Sequence, residues 1–135
     1  METAVYKVDP KNFQPEELRP AAEILRRGGL VAFPTETVYG IAASAMIPEA
    51  IHRLREMKGR PADKPFSLHV SDIAEVSAVA DRISPLAQSL IDLYWPGPLT
   101  IIFPGSAGQG IGVRLPNHPV ARELVRLAGP VVAPS

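Results

Sequence analysis

The chain has 135 residues, of which 46% are hydrophobic and 21% are charged, proportions that allow one compact domain with a real core. It has no cysteine, which excludes a disulfide framework and a thiolate metal site. The formal net charge is zero, so the overall charge gives no argument for nucleic-acid binding. The N-terminus has no apolar run typical of a signal peptide, and we expect a cytoplasmic location.

Apolar periodicity alternates between helical and strand patterns along the chain. The predicted elements are, in order, a helix over 14–27, a strand over 30–33, a helix over 48–57, a strand over 66–70, helices over 73–80 and 84–93, strands over 99–103 and 111–115, a helix over 119–127 and a strand over 130–133. Because helices and strands are interleaved, the sequence predicts a single α/β (α+β) domain over 1–135, with a twisted mixed sheet flanked by helices.

Glycine and proline mark the breaks between these elements. The Gly-rich segment 104–112 is predicted to be a mobile loop. The uncharged stretch 93–113 holds too many prolines and glycines for a membrane helix, so no membrane contact is expected. The chain stops directly after a predicted strand, and we expect the C-terminal part of the domain to continue beyond it.

A polar segment follows the first predicted strand. Residues 34–40 read PTETVYG and supply two hydroxyls, a carboxylate and a phenol at a position where α/β folds commonly bind ligands. Hydroxyls there can bind a small polar substrate. The alternative interpretation is a polar turn in which Thr35 and Thr37 satisfy nearby backbone groups.

A local positive patch lies between residues 52 and 64. Its cations are Arg53, Arg55, Lys58, Arg60 and Lys64. A compact ammonium beside a planar guanidinium suits a polyphosphate. The Walker pattern is absent, so phosphate binding would depend on side chains. A cation at a helix C-terminus is favourable in itself, so a structural role for Lys58 stays open.

Two polar residues interrupt apolar strands. His69 lies in a predicted buried strand, either as a hydrogen-bonded core residue or as a site residue. No metal site is expected there, because no second ligand stands at a suitable spacing. Arg114 lies in another apolar strand, and a buried guanidinium needs an anion. That anion is either a protein carboxylate or the carboxylate of a substrate.

Several motifs, taken in order, resemble the YrdC-like family. The matching segments are 34–40 (PTETVYG), 58–61 (KGRP), 95–100 (WPGPLT), 113–116 (VRLP) followed by His118 and Pro119, and 133–135 (APS). The WPGP segment by itself indicates a rigid structural corner between a helix and a strand. The resemblance implies a nucleotidyltransferase that condenses L-threonine, bicarbonate or CO2 and ATP, taken up with Mg2+, into threonylcarbamoyl-adenylate and pyrophosphate.

The resemblance also implies roles for individual residues and for partners. Thr37, His69, Arg114 and Ala133 would bind threonine, whereas Lys58, Arg60, Lys64 and Ser135 would bind ATP. Lys58 and Arg60 would be the catalytic pair that neutralises phosphate charge. A separate transferase complex would then pass the threonylcarbamoyl group to tRNA.

Two departures from the family pattern bear on the nucleotide site. The family usually continues past 133–135 with an asparagine and a stretch that completes the site, and Gly110 stands where threonine is common. Three alternatives stay open: a carbamoyl-adenylate-forming domain of hydrogenase maturation, a YrdC-like module that contacts RNA, and an inactive fragment.

Overall fold

A computed structural model describes residues 3–59, 61, 65–105 and 110–134. The described residues form four α-helices and two 3-10 helices. The α-helices are α1 (Arg19–Arg26), α2 (Pro48–Lys58), α3 (Pro85–Tyr94) and α4 (Pro119–Ala128), and the 3-10 helices are Pro15–Leu18 and Ile73–Ala78. No helix among the described residues is long and apolar enough to cross a membrane.

Local sequence signals account for the helix ends. Each α-helix has a proline in its first two positions, where the missing N–H has no helical partner to lose. The Ser84 side chain accepts a hydrogen bond from Ala87 N at 3.1 Å and caps α3. Helix α2 ends at Gly59, whose φ of 64° is left-handed, a conformation that glycine adopts without strain.

Six strands form one mixed sheet in the order β1-β2-β6-β3-β5-β4. They are β1 (Val31–Phe33), β2 (Gly40–Ser44), β3 (Ser67–His69), β4 (Ile101–Pro104), β5 (Gly110–Arg114) and β6 (Val131–Ala133). Strands β3 and β5 are parallel, and the other neighbours are antiparallel. The predicted class, a mixed sheet flanked by helices, is confirmed.

The sheet separates two apolar layers because side chains alternate along each strand. On one face, Val131 and Ala133 pack with Leu25 of α1 and Leu124 of α4. On the other face, Val132 packs against clusters that include residues of α2 and α3. Strand β6 therefore contributes to the core on both sides of the sheet.

The predicted corner between α3 and β4 is structural. Trp95 is buried, its peptide bond to Pro96 is cis, and its indole Nε1 donates a hydrogen bond to Leu99 O at 2.8 Å. The backbone N–H of Gly97 donates to Leu115 O at 2.9 Å. These bonds join the corner to the chain that follows β5.

Three sequence-based expectations were wrong. Strand β2 was not predicted, because its glycine, alanine and serine residues have little intrinsic strand preference. The predicted helix over 73–80 is a shorter 3-10 helix. In the predicted loop over 104–112, Pro104 and residues 110–112 lie in the paired strands β4 and β5. Residues 106–109 of that segment lie outside the described part of the chain.

The remaining predicted elements are present with ends shifted by a few residues. The predicted helix over 14–27 begins as a 3-10 helix and becomes α-helical at Arg19. Such shifts are common because the terminal turn of a helix is often 3-10.

Candidate functional site

Two of the predicted site residues lie side by side at the ends of parallel strands. His69 ends β3 and Arg114 ends β5, and the register pairs them directly. Paired residues of neighbouring strands place their side chains on the same face. For His69 and Arg114 this is the face on which α1 and α4 pack over β1, β2 and β6.

The imidazole of His69 is buried and, within the described residues, has no hydrogen-bond partner. The residue is 3% exposed, and neither Nδ1 nor Nε2 is hydrogen-bonded to any described residue. Its ring contacts the Phe33 ring edge-on, with 5.9 Å between centroids. Burial lowers the pKa of His69 to about 4, so the ring is neutral at physiological pH. Because buried polar groups are normally hydrogen-bonded, these two nitrogens are suited to a ligand.

Arg114 contacts a protein carboxylate, that of Glu36. Arg114 Nη2 and Glu36 Oε1 form an ion pair, with the two side chains 12% and 20% exposed. The backbone N–H of Asn117 donates a hydrogen bond to Glu36 Oε2, and Arg114 Nε donates to Gly97 O at 3.4 Å. Burial lowers the pKa of the Arg114 guanidinium, which stays protonated at neutral pH.

The ion pair gives Arg114 a protein carboxylate as a partner. Strand β1 is antiparallel to β5 in the observed order. The segment after β1 therefore has to fold back over the sheet to bring Glu36 to Arg114. Glu36 lies in the PTETVYG segment, and the sequence pattern assigns it no individual role. The sequence feature that predicts a partner such as Glu36 is Arg114, a cation in an apolar strand, because a buried guanidinium needs an anion.

Thr37 lies in a turn next to Glu36. The Thr35 hydroxyl is 3.0 Å from the Thr37 hydroxyl and donates to Val38 O at 2.6 Å. These hydrogen bonds are the ones expected if Thr35 and Thr37 form a polar turn that satisfies nearby backbone groups. Thr37 is exposed, so its hydroxyl remains accessible beside the ion pair.

Lys58 lies apart from this group. It is the last residue of α2 and is exposed, and within the described residues no hydrogen bond or ion pair joins it to His69 or Arg114. Arg60, Lys64 and Ser135, which were predicted to bind ATP, lie outside the described residues. Their predicted roles stay predictions.

Two described residues near Arg60 and Lys64 contact Arg55, namely Pro61 between them and Phe66 after them. Arg55 Nη1 donates to Pro61 O at 2.8 Å, and its guanidinium lies 4.7 Å from the centroid of the Phe66 ring. Arg55 thus links the chain after α2 to the residue that precedes β3.

Ala133 lies on β6, the strand that pairs with the strand of His69, β3. It is buried at the end of β6 and pairs with Ser67 of β3. Beyond β3, the β4–β5 hairpin presents Ile102, 73% exposed, and Gly112 on the same face as Arg114. The residues Ser67 and Gly112 on this half of the sheet are small.

A groove elsewhere holds none of the predicted site residues. Its volume is about 290 Å³, and it is lined by Ser71, Pro119, Arg122, Glu123 and Arg126. Among the described residues, no group of three or more His, Cys, Asp or Glu side chains is arranged to hold a metal ion.

Comparison with known proteins places this chain in a family. Residues 23–135 match the Sua5/YciO/YrdC domain, which is described as "Telomere recombination". Threonylcarbamoyl-AMP synthases of Pyrococcus abyssi and Bacillus subtilis are 40% and 38% identical to this chain over 88% of its length. The chain spans 38% of the length of each of these two relatives.

A solved structure of the same fold is similar over most of this chain. The crystal structure of P. abyssi Sua5 complexed with L-threonine superposes with a TM-score of 0.86 and 39% identity, covering 92% of this chain and 39% of that one. The resemblance noted in the sequence motifs is confirmed. The chain belongs to the Sua5/YciO/YrdC family.

Proposed function

We propose that this chain carries the catalytic domain of a threonylcarbamoyl-AMP synthase, which forms threonylcarbamoyl-adenylate and pyrophosphate from L-threonine, bicarbonate or CO2 and ATP. The observation that carries the proposal is the position of Arg114 and His69 side by side at the ends of the parallel strands β5 and β3. The names of the similar proteins and the threonine complex of one of them support it.

On this proposal, the amino acid binds at the ends of β3 and β5. Arg114 binds its carboxylate through a guanidinium that is always charged. The two free nitrogens of His69 donate one hydrogen bond and accept another, which suits a hydroxyl group. Thr37 and the backbone of Ala133 border the same position.

The nucleotide binds on the side of Lys58, with Arg60 and Lys64 further along the chain. The threonine amine attacks CO2 to give a carbamate, and a carbamate oxygen then attacks the α-phosphate while pyrophosphate leaves. No covalent enzyme intermediate is needed. Catalysis would consist of positioning and of neutralising phosphate charge, which Lys58 and Arg60 supply.

Mg2+ would enter with ATP and not through a protein-built site. Mg2+ in nucleotide enzymes is commonly held by phosphates and few carboxylates, and the described residues offer no cluster of three metal-binding side chains. Ser135 would border the nucleotide. The product would pass to a transferase complex that modifies tRNA, which places the proposed reaction in the cytoplasm.

The test is to measure product formation by the complete gene product that contains these residues. Mass spectrometry should detect threonylcarbamoyl-adenylate only when ATP, bicarbonate and L-threonine are all present. Lys58→Ala should lower the rate at least about tenfold, the effect of losing one charge-assisted contact. Lys11→Ala, which removes another exposed lysine, should leave the rate unchanged.

Two results would contradict the proposal. An equal yield of adenylate without threonine would favour a carbamoyl-adenylate-forming domain. Arg114→Leu should weaken threonine binding far more than ATP binding, and equal loss of both, with the fold retained, would place the amino acid elsewhere.

A further inference from the structure

Helix α3 exposes a row of apolar side chains along one flank. Its core-facing residues Ala87 and Ile91 pack into the apolar cluster over β3, β5 and β4. Leu86 and Leu93, by contrast, are 71% and 73% exposed. Leu90 is partly buried and lies between them on the same flank, because residues three and four apart are neighbours on a helix. Leu86, Leu90 and Leu93 form what we call the α3 stripe.

The α3 stripe carries no charge. The only charged residue of α3 is Asp92, which accepts a hydrogen bond from Gln88 at 2.9 Å. Both residues lie far around the helix from the stripe, since about 3.6 residues make one turn. Ser89, at the border of the stripe, donates its hydroxyl to Pro85 O at 3.1 Å. The stripe is therefore suited to contact with another apolar surface.

Helix α3 lies over the outer part of the sheet. Trp95, directly after α3, packs edge-on against Phe103 of β4, with 6.2 Å between ring centroids. Strand β4 is an edge of the sheet. Because the two leucines of the stripe are mostly exposed at this end of the domain, the surface of another protein can reach them.

The α3 stripe is complementary to itself. Leu86 and Leu93 lie seven residues apart, with Leu90 near the midpoint. When two copies of α3 pack in opposite directions, Leu86 of each copy meets Leu93 of the other. The positive N-terminal end of each helix then lies beside the negative C-terminal end of the other, where Asp92 adds negative charge. The formal net charge of the chain is zero, so two copies do not repel each other overall.

The size of this surface determines how strongly two copies bind. The stripe and the neighbouring Tyr94, which is 55% exposed, offer roughly 400 Å² on each copy. Stable protein–protein interfaces bury at least about 1,200 Å² in total. Two stripes stay below that area, so their contact is reversible, with a dissociation constant on the order of 100 µM.

We propose that the α3 stripe is the interface of a weak, two-fold symmetric dimer of this chain, in which two α3 helices pack antiparallel. The interface is separate from the candidate site. Helix α3 packs on one face of the sheet, whereas His69 and Arg114 lie on the face covered by α1 and α4. Dimer formation therefore leaves both candidate sites open, and the proposal does not depend on the proposed function.

The test is sedimentation velocity of the complete gene product between roughly 5 and 500 µM. The wild type should shift from monomer to dimer as its concentration rises. Leu86→Asp and Leu93→Lys should each weaken the dimer at least about tenfold, because a leucine contact is lost and a charge is buried in its place. The control Met46→Lys, at a residue 77% exposed between β2 and α2, should leave the dimer unchanged.

Both interface variants should keep the fold. A carboxylate at position 86 lies near the N-terminus of α3 and an ammonium at position 93 lies near its C-terminus, the ends at which these charges are favourable. Their thermal unfolding should therefore match that of the wild type. A collapsed thermal transition in both variants would show that the complete chain itself covers the stripe, and it would overturn the proposal.

A mixture of Leu86→Asp and Leu93→Lys tests the antiparallel geometry. In a mixed dimer the introduced carboxylate meets the introduced ammonium, and the second contact remains leucine on leucine. The mixture should therefore dimerise at least about tenfold more tightly than either variant alone.

Three further results would overturn the proposal. A wild type that stays monomeric at every concentration does not associate through the stripe. A wild-type dimer that Leu86→Asp leaves intact has its interface elsewhere. If the two variants are monomeric alone and remain monomeric when mixed, the helices do not pack antiparallel.

Discussion

The imidazole of His69 is held neutral by burial, and this has a consequence for stability as well as for binding. At pH above the ordinary histidine value of 6.5, the ring is neutral in both the folded and the unfolded chain. Between 6.5 and about 4, the unfolded chain takes up a proton that the folded chain does not. The contribution of His69 to the free energy of unfolding therefore decreases as the pH falls from 6.5 to about 4.

We predict that the free energy of unfolding falls by up to about 3 kcal/mol from His69 alone between pH 6.5 and 4, since each pKa unit corresponds to about 1.4 kcal/mol. Urea denaturation at a series of pH values measures it. In His69→Asn this part of the pH dependence should disappear. His52→Asn is the matched control because His52 is exposed, and it should retain the wild-type slope. The same slope in wild type and His69→Asn would show that His69 is not buried in solution.

At the scale of elements, the corner before β4 supports the site as well as the fold. Gly97 donates its N–H to Leu115 O and accepts from Arg114 Nε through its carbonyl oxygen. A Cβ at this position would lie 2.3 Å from the backbone oxygen of Tyr94. A backbone atom cannot move aside as the end of a side chain can, so the whole corner would have to shift.

We predict that Gly97→Ala lowers the free energy of unfolding by about 2–3 kcal/mol, the upper range for overpacking, and weakens amino-acid binding because Arg114 loses its orientation. Thermal unfolding and titration with L-threonine measure the two effects. Gly59→Ala is the matched control: no atom lies within 4 Å of its added Cβ. Its left-handed φ of 64° should cost about 1 kcal/mol. A Gly97 variant as stable as the wild type would mean that the corner is loosely packed.

At the scale of the whole molecule, the two central strands of the sheet, β6 and β3, lie between the apolar layers on its two faces. Strands β6 and β3 each have a neighbour on both sides, whereas β1 and β4 are the edges of the sheet. Residues of β6 pack into the apolar clusters on both faces. The centre should therefore open only when the entire domain unfolds.

We predict that hydrogen-bonded amides of β3 and β6 exchange with solvent at least about a hundredfold more slowly than those of β1, because edge strands open locally. Hydrogen exchange followed by NMR at neutral pH measures the rates. Comparable protection in β1 and β6 would show that the sheet unfolds as one unit with no local opening at that edge.

Much of the fold follows from local patterns. Apolar periodicity and prolines at helix starts predict α2, α3 and α4 almost to the residue. Local patterns do not predict strand β2, because burial and not intrinsic strand preference determines the conformation of its small residues. Both strands of the β4–β5 hairpin are predicted with shifted ends, because Pro104 and Gly110, which suggest a loop, pair directly with each other.

The sequence by itself determined the family, through motifs that need no three-dimensional context, and the requirement that Arg114 have an anion. Only the tertiary structure decided which protein carboxylate contacts it. Glu36 is 78 residues away along the chain, and β1 runs antiparallel to β5. Strand order and direction result from packing of both sheet faces at once, so no local pattern contains them. The same long-range packing buries His69 and keeps its imidazole neutral beside Arg114.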